Sequence, residues 1–275
     1  MPSHQAPRAR SFVLCAALLT PACGGEEGSP PREAPAPKAQ APTAEAAPED
    51  ARAAAIERHD AALVELARSR EALASRYEQA STSAERGEIR AEARRLLEDT
   101  IIEDLFPAWL GMPWGMGKDS TATRPHEPEM KVGCSYFVTS VLISAGVELE
   151  NRFTFAQAPA IHIQRSLAPG DDQLHTHFSI PATKLRDRIA NLGEGLYIIG
   201  LDTHVGFVVV RAGEVRFVHA SYTGERVVTD EPLAEAKAIH NSRPKGYFVT
   251  PLFQDGRLVD MWLRGQVVPF QRIGP

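Results

Sequence analysis

A chain of 275 residues that is 43% hydrophobic can bury one full core and still leave residues over for appendages. One catalytic-sized domain with an N-terminal extension is therefore expected. The net charge of -5 and pI near 6.0 are mild, and no Lys/Arg-rich run or basic stripe interleaved with aromatics is present to track a phosphate backbone, so no nucleic acid partner is expected.

Residues 1–22 read as a secretory signal, with Arg8 and Arg10 as a short basic region, Phe12 to Leu19 as an apolar core and Pro21-Ala22 as a small-residue cleavage site. The apolar core is too short to span a bilayer as a permanent helix. Cys23-Gly24-Gly25 follows directly, and this junction resembles a bacterial lipoprotein signal, with Thr20 standing where an aliphatic residue is usual. The resemblance implies that Cys23 is diacylated and becomes the mature N-terminus; the alternative is cleavage after Ala22 by an ordinary signal peptidase. Cys15 leaves with the signal and a lipidated Cys23 is a thioether, so Cys134 is expected to be the single free cysteine of the exported protein.

Residues 23–50 are dominated by Pro, Ala, Glu, Gly and Ser, a composition that cannot bury a core and predicts an extended tether. From 51 to 106 the pattern becomes helical, with Ile56, Leu63, Leu66 and Leu73 in a first segment and Ile89, Leu96, Leu97 and Ile101 in a second. Between them Thr82 and Glu85 have the spacing of a capping box, so a helical hairpin with a structural role is expected.

The remainder, 107–275, is read as one domain. Gly and Pro punctuate a loop from Leu110 to Val132, and a helix is predicted from Cys134 to Ala145, ended by Gly146. Helical patches are expected around Phe155 to Leu167 and Pro181 to Leu192. Strands are expected at Gly195 to Gly200, Val205 to Arg211, Val215 to Ala220, Lys245 to Phe253 and Val259 to Phe270. Helices first and an antiparallel sheet after them predict an α+β architecture.

Cys134 opens its helix, where the dipole and the free first-turn amides favour a thiolate and a lowered pKa. The same amides, with those of Cys134 and Ser135 foremost, could hold the oxyanion formed when the sulfur attacks a carbonyl. His204 begins one predicted strand and His219 ends the next. A hairpin at Ala212-Gly213 would set residues whose numbers sum to about 423 opposite each other, placing both imidazoles on one face unless a bulge reverses the parity. A histidine oriented by a second polar group and facing a helix-capped thiol suits cysteine nucleophilic catalysis: Cys134 as nucleophile, His204 as base, His219 as the group that holds its tautomer.

At these residues the chain resembles the NlpC-type family of bacterial cell-wall cysteine peptidases. The likeness is carried by Gly133-Cys134-Ser135-Tyr136-Phe137-Val138, by Gly111-Met112-Pro113-Trp114-Gly115-Met116-Gly117, by His204-Val205-Gly206-Phe207 and by Phe217-Val218-His219-Ala220. It implies a papain-like fold, a nucleophile helix packed on an antiparallel sheet, and Cys134, His204 and His219 as the triad, with Trp114, Ser135 and Tyr136 at the oxyanion or substrate positions. Gly133, Tyr136 and Trp114 depart from the family's usual Asp, Gly and Tyr.

The function expected is a monomeric, lipid-anchored envelope protein, in the outer membrane facing the periplasm, that hydrolyses amide bonds in peptidoglycan stem peptides. Two alternatives stand beside it: an amidase, deacylase or acyltransferase acting on a lipid or protein, and a non-catalytic wall-binding lipoprotein. No cofactor is expected. His175-Thr176-His177 places two imidazoles on one side of a strand with no third ligand nearby, so no metal is expected either.

Overall fold

A computed structural model of the chain describes residues 49–272, so the expected signal, the expected lipidation at Cys23 and the expected tether up to Pro48 lie outside the described residues. Glu49 and Asp50, assigned to the tether from composition, instead open the first helix, α1 (Glu49–Gln79). Its buried stripe is Ala55, His59, Leu66, Leu73 and Tyr77. Helix α2 (Ser83–Thr100) begins with the expected capping box: Thr82 Oγ1 accepts from the Glu85 amide at 3.1 Å, and the Glu85 carboxylate accepts from the Thr82 amide at 3.2 Å. Arg76 of α1 donates to both carboxylate oxygens of Glu92 of α2 at 2.9 Å. The helical path then continues through one π turn, Ile101–Leu105, into α3 (Phe106–Trp109), where Pro107 cannot donate to the helix ladder.

Helix α4 (Cys134–Ser144) ends as predicted at Gly146, whose φ of 81° is the left-handed conformation that glycine adopts without strain. The apolar run after it forms two helices, not one: α5 (Arg152–Gln157) and α6 (Ala160–Leu167). Pro159 divides them, because it forces Ala158 into an extended conformation (φ −84°, ψ 154°) and lacks an amide hydrogen. Strand β1 (His175–His177) and helix α7 (Ala182–Ala190) follow. Next come β2 (Gly195–Gly200), β3 (Val205–Arg211), β4 (Glu214–Ala220), β5 (Val228–Pro232), α8 (Lys237–Ser242), β6 (Tyr247–Pro251) and α9 (Arg257–Leu263).

The architecture is α+β, built on an open six-stranded sheet in the order β1-β6-β2-β3-β4-β5 with every neighbouring pair antiparallel. One expectation for its strands fails, and one strand was not anticipated. Val259 to Phe270 is not a strand: Leu258, Val259, Trp262 and Leu263 recur at helical steps and bury one face of α9. That face is anchored by Asp260, which accepts from Tyr77 at 2.8 Å and from Arg90 at 2.7 and 3.0 Å, so tertiary contacts override the β preference of the valine-rich stretch. Val228–Pro232 is the strand that was not anticipated; as an edge strand it tolerates the charges of Asp230 and Glu231 and a terminal proline.

Each face of the sheet has its own core. One face packs Leu196, Ile198, Phe207 and Val218 against Phe137, Val138 and Val141 of α4 and against α2 and α9. The other packs Tyr197, Val208, Val210 and Phe217 against Leu185 and Ile189 of α7 and Ile239 of α8. With both faces covered, functional groups are left to the ends of the strands. Among the described residues no helix is long and apolar enough to cross a membrane.

Candidate functional site

The β3–β4 connection is the two-residue turn Ala212-Gly213, both with positive φ (52° and 81°), which matches the twist of a tight hairpin. The pairing is offset by two residues from the expected one: Val208 lies opposite Phe217 and Val210 opposite Val215. Because side chains alternate with a period of two, this offset leaves every residue on its expected face. His204 and His219 accordingly meet, with His204 Nε2 2.7 Å from His219 Nδ1 and the ring centroids 4.9 Å apart. Both are buried, at 4% and 0% exposure. His219 stacks on Phe217 with ring centroids 3.9 Å apart, so it belongs to the face opposite the one that α4 covers.

A fourth polar group, which sequence reasoning missed, completes the chain. Glu231 on β5 sits opposite Phe217, and its Oε1 is 2.9 Å from His219 Nε2. The carboxylate can only accept, so His219 Nε2 carries the proton. His219 Nδ1 is then the acceptor for His204 Nε2–H, which leaves Nδ1 of His204 as its basic nitrogen. One carboxylate thus sets the tautomer of two imidazoles. Its sequence signal was weak, because a glutamate before a proline in a charged pentapeptide looks like a solvated turn until β5 is paired with β4.

Cys134 is the first residue of α4, and Gly133 before it provides no side-chain cap, so the first-turn amides are not consumed by one. Cys134 is also the free cysteine of the described residues, and it is partly exposed. It shares the walls of two cavities with His204, Ser135 and Thr203. Nucleophile and base therefore come from a helix on one face of the sheet and from the residue that precedes β3, and they line common cavities where β3 begins. Among the described residues no hydrogen bond joins the thiol to either histidine; catalytic contacts of this kind often close only around substrate.

The electrostatics correct one expectation. Burial pushes the Cys134 thiol above its ordinary value, and the amides of Val205, Ser135 and Cys134, which pull it down, do not outweigh that. His204 is held well below the usual imidazole range by burial and by its neighbour His219. His219 is lowered by burial, against the Glu231 carboxylate that raises it. Burial thus favours the neutral thiol and the neutral imidazole over a preformed thiolate.

Ser135, Trp114 and Tyr136 also line the cavity on one side of Cys134. The Ser135 hydroxyl donates to the Ala156 carbonyl, tying the start of α4 to α5. Trp114 lies under the Arg226 guanidinium at 4.5 Å, and the Tyr136 ring lies under that of Arg152 at 5.1 Å. Tyr222, 5.2 Å from His204 between ring centroids, adds a second phenol to the same wall. Arg152 itself pins the loop before α4, donating to the carbonyls of Thr121 (3.0 Å) and Ala122 (2.6 Å) and to Ser140 Oγ (2.8 Å). His175 and His177 lie apart on β1, where His177 Nδ1 accepts from Arg188 at 3.2 Å. Among the described residues no cluster of His, Cys, Asp and Glu could hold a metal ion.

Gly206 is the packing condition for the relay. A Cβ there would stand 2.7 Å from His219 Cβ and 2.7 Å from the Phe217 ring, so Gly206→Ala must displace His219. Overpacking of this kind costs about 1–3 kcal/mol, read from the denaturation midpoint, and any turnover is expected to fall further than that stability loss explains.

Searches of protein-family models, curated proteins and solved structures found no match to this chain.

Proposed function

We propose that the chain is a papain-like cysteine hydrolase of amide bonds, with α4 as the nucleophile helix on the antiparallel sheet and α1 and α2 as a supporting hairpin. The observation that carries this reading is the hydrogen-bonded chain Glu231–His219–His204, which ends at the wall of a cavity also lined by a first-turn cysteine. Such a chain leaves one imidazole nitrogen basic and oriented, which a buried structural histidine does not need.

In this reading His204 Nδ1 takes the thiol proton as Cys134 Sγ attacks the substrate carbonyl. The amides of Cys134 and Ser135 hold the oxyanion, and His204 returns the proton to the leaving amine as the C–N bond breaks. Water, deprotonated by the same imidazole, then hydrolyses the thioester and restores the thiol. A neutral pair at rest fits a proton transfer that happens during attack.

The substrate we favour is the stem peptide of peptidoglycan, reached from the outer membrane through a lipid on Cys23 and the Pro/Ala-rich tether. The protein acts as a monomer without cofactor. This rests on the export signal, the tether and the resemblance of the motifs around Cys134, His204 and His219. Purified sacculi incubated with the protein are expected to release muropeptides with newly exposed amines, seen by mass spectrometry; intact sacculi would remove this substrate. Labelled fatty acid is expected on the mature protein and to vanish in Cys23→Ala, whereas label that persists in that variant refutes the anchor.

The uncharged aromatic wall of Trp114, Tyr136 and Tyr222 favours a second reading, an amidase, deacylase or acyltransferase acting on a lipid or acylated protein. Turnover of an acyl amide together with intact sacculi would select it.

A further inference from the structure

Cys134, Ser135, Thr203 and His204 form a wall between two cavities of about 380 and 560 Å³, and the cavities differ in chemistry. The larger carries the charged groups Lys245 and Asp202 and the amide Gln157 beside apolar residues such as Ile161, Leu201 and Phe248. Around the smaller stand Trp114, Met116, Tyr136 and Tyr222, and none of its lining residues is an Asp, Glu, Lys or Arg. Two cations stand outside the lining, Arg226 and Arg152, which lie over the rings of Trp114 and Tyr136 in cation–π contact. The phenol oxygens are engaged as well, Tyr136 accepting from Gln157 at 3.2 Å and Tyr222 from Asn241 at 3.4 Å. Beside the hydroxyls of Thr203 and the two phenols, the cavity offers a ligand ring faces, glycine backbone and the thioether of Met116, which is 85% exposed at the rim.

We infer that this smaller cavity is a subsite for an uncharged apolar group of the substrate, an acyl chain or apolar side chain adjacent to the bond that Cys134 attacks. The larger cavity, with Lys245 and Asp202, takes the polar side of that bond. A charged group entering the smaller one would lose hydration with no ion among the lining residues to pair with, whereas an apolar group would cover Met116 and the aromatic faces. The inference rests on Cys134 being the nucleophile, and it narrows the substrate to one with an apolar group on one side of its scissile bond.

The test is the rate at which Cys134 of the full chain is alkylated by N-hexyl iodoacetamide and by N-(2-carboxyethyl) iodoacetamide. Each rate is normalised to the same reagent acting on N-acetylcysteine and followed by mass spectrometry of the Cys134 peptide at about pH 8.5. The ratio of the two rates cancels the thiolate fraction, so a raised thiol pKa does not affect it. The hexyl reagent is expected to be favoured by at least about tenfold, and Met116→Glu, a change at an exposed rim position, to bring the ratio to one or below. Equal normalised rates, or a preference unchanged in Met116→Glu, would overturn the subsite and leave the hydrolase reading standing. If neither reagent labels Cys134 even when the pH is raised to about 10, where a thiol raised by burial also ionises appreciably, the thiol does not face substrate and both ideas fall.

Discussion

Cys134→Ala is expected to lower turnover by at least about 10⁴-fold while leaving the fold unchanged, because the sulfur is the bond-forming atom and its loss adds only a small void at the edge of a core. His204→Ala should fall nearly as far, since a thiol whose pKa is raised by burial needs a base to become a nucleophile. The double variant should be no worse than the single ones, as groups that act as one unit are non-additive. Muropeptide release or acyl-amide cleavage measured for the three variants checks this. Turnover surviving in Cys134→Ala ends the cysteine-hydrolase proposal, and a silent wild type with binding to sacculi would mark a wall-binding protein.

Glu231→Gln carries the second largest expected effect, a fall of about 10²-fold in kcat with little change in KM. The amide removes the charge that stabilises an imidazolium relayed through His219. It also brings a donor that can bond His219 Nε2 directly and reverse both tautomers, turning the basic nitrogen of His204 away from its task. The sign of the pH effect follows from the carboxylate. It raises the His219 pKa, so without it protonation of the pair becomes harder and the acid limb of kcat/KM moves to lower pH even as the plateau drops. Glu231→Asp should keep the acid limb in place and recover part of the rate. A merely structural Glu231 would leave the limb where it was, and nitrogen-15 shifts of the two imidazoles would show unchanged tautomers.

The helices announced themselves wherever a local rule governs them. The Thr82–Glu85 box, the stop at Gly146 and the start at Cys134 each depend on groups a few residues apart, so the spacing of residues suffices to find them. The His204–His219 meeting was legible for a related reason: the alternation of side chains and a two-residue turn fix a face even when the register is off by two. The break at Pro159 is a local failure, whereas the two strand failures involve partners distant in sequence. The segment after Asp255 became a helix because Tyr77 and Arg90, more than 160 residues earlier, hold Asp260. Val228–Pro232 became a strand because β4 offered it an edge.

By itself, then, the sequence determined the α+β class, the helix-opening cysteine and the two histidines on one sheet face, since periodicity and capping act through neighbours along the chain. Only the tertiary structure decided that Glu231 stands behind His219, that burial raises the thiol, and that two cavities of unlike polarity flank it. Desolvation and cross-strand contact are properties of what surrounds a group after folding, and no local pattern encodes them.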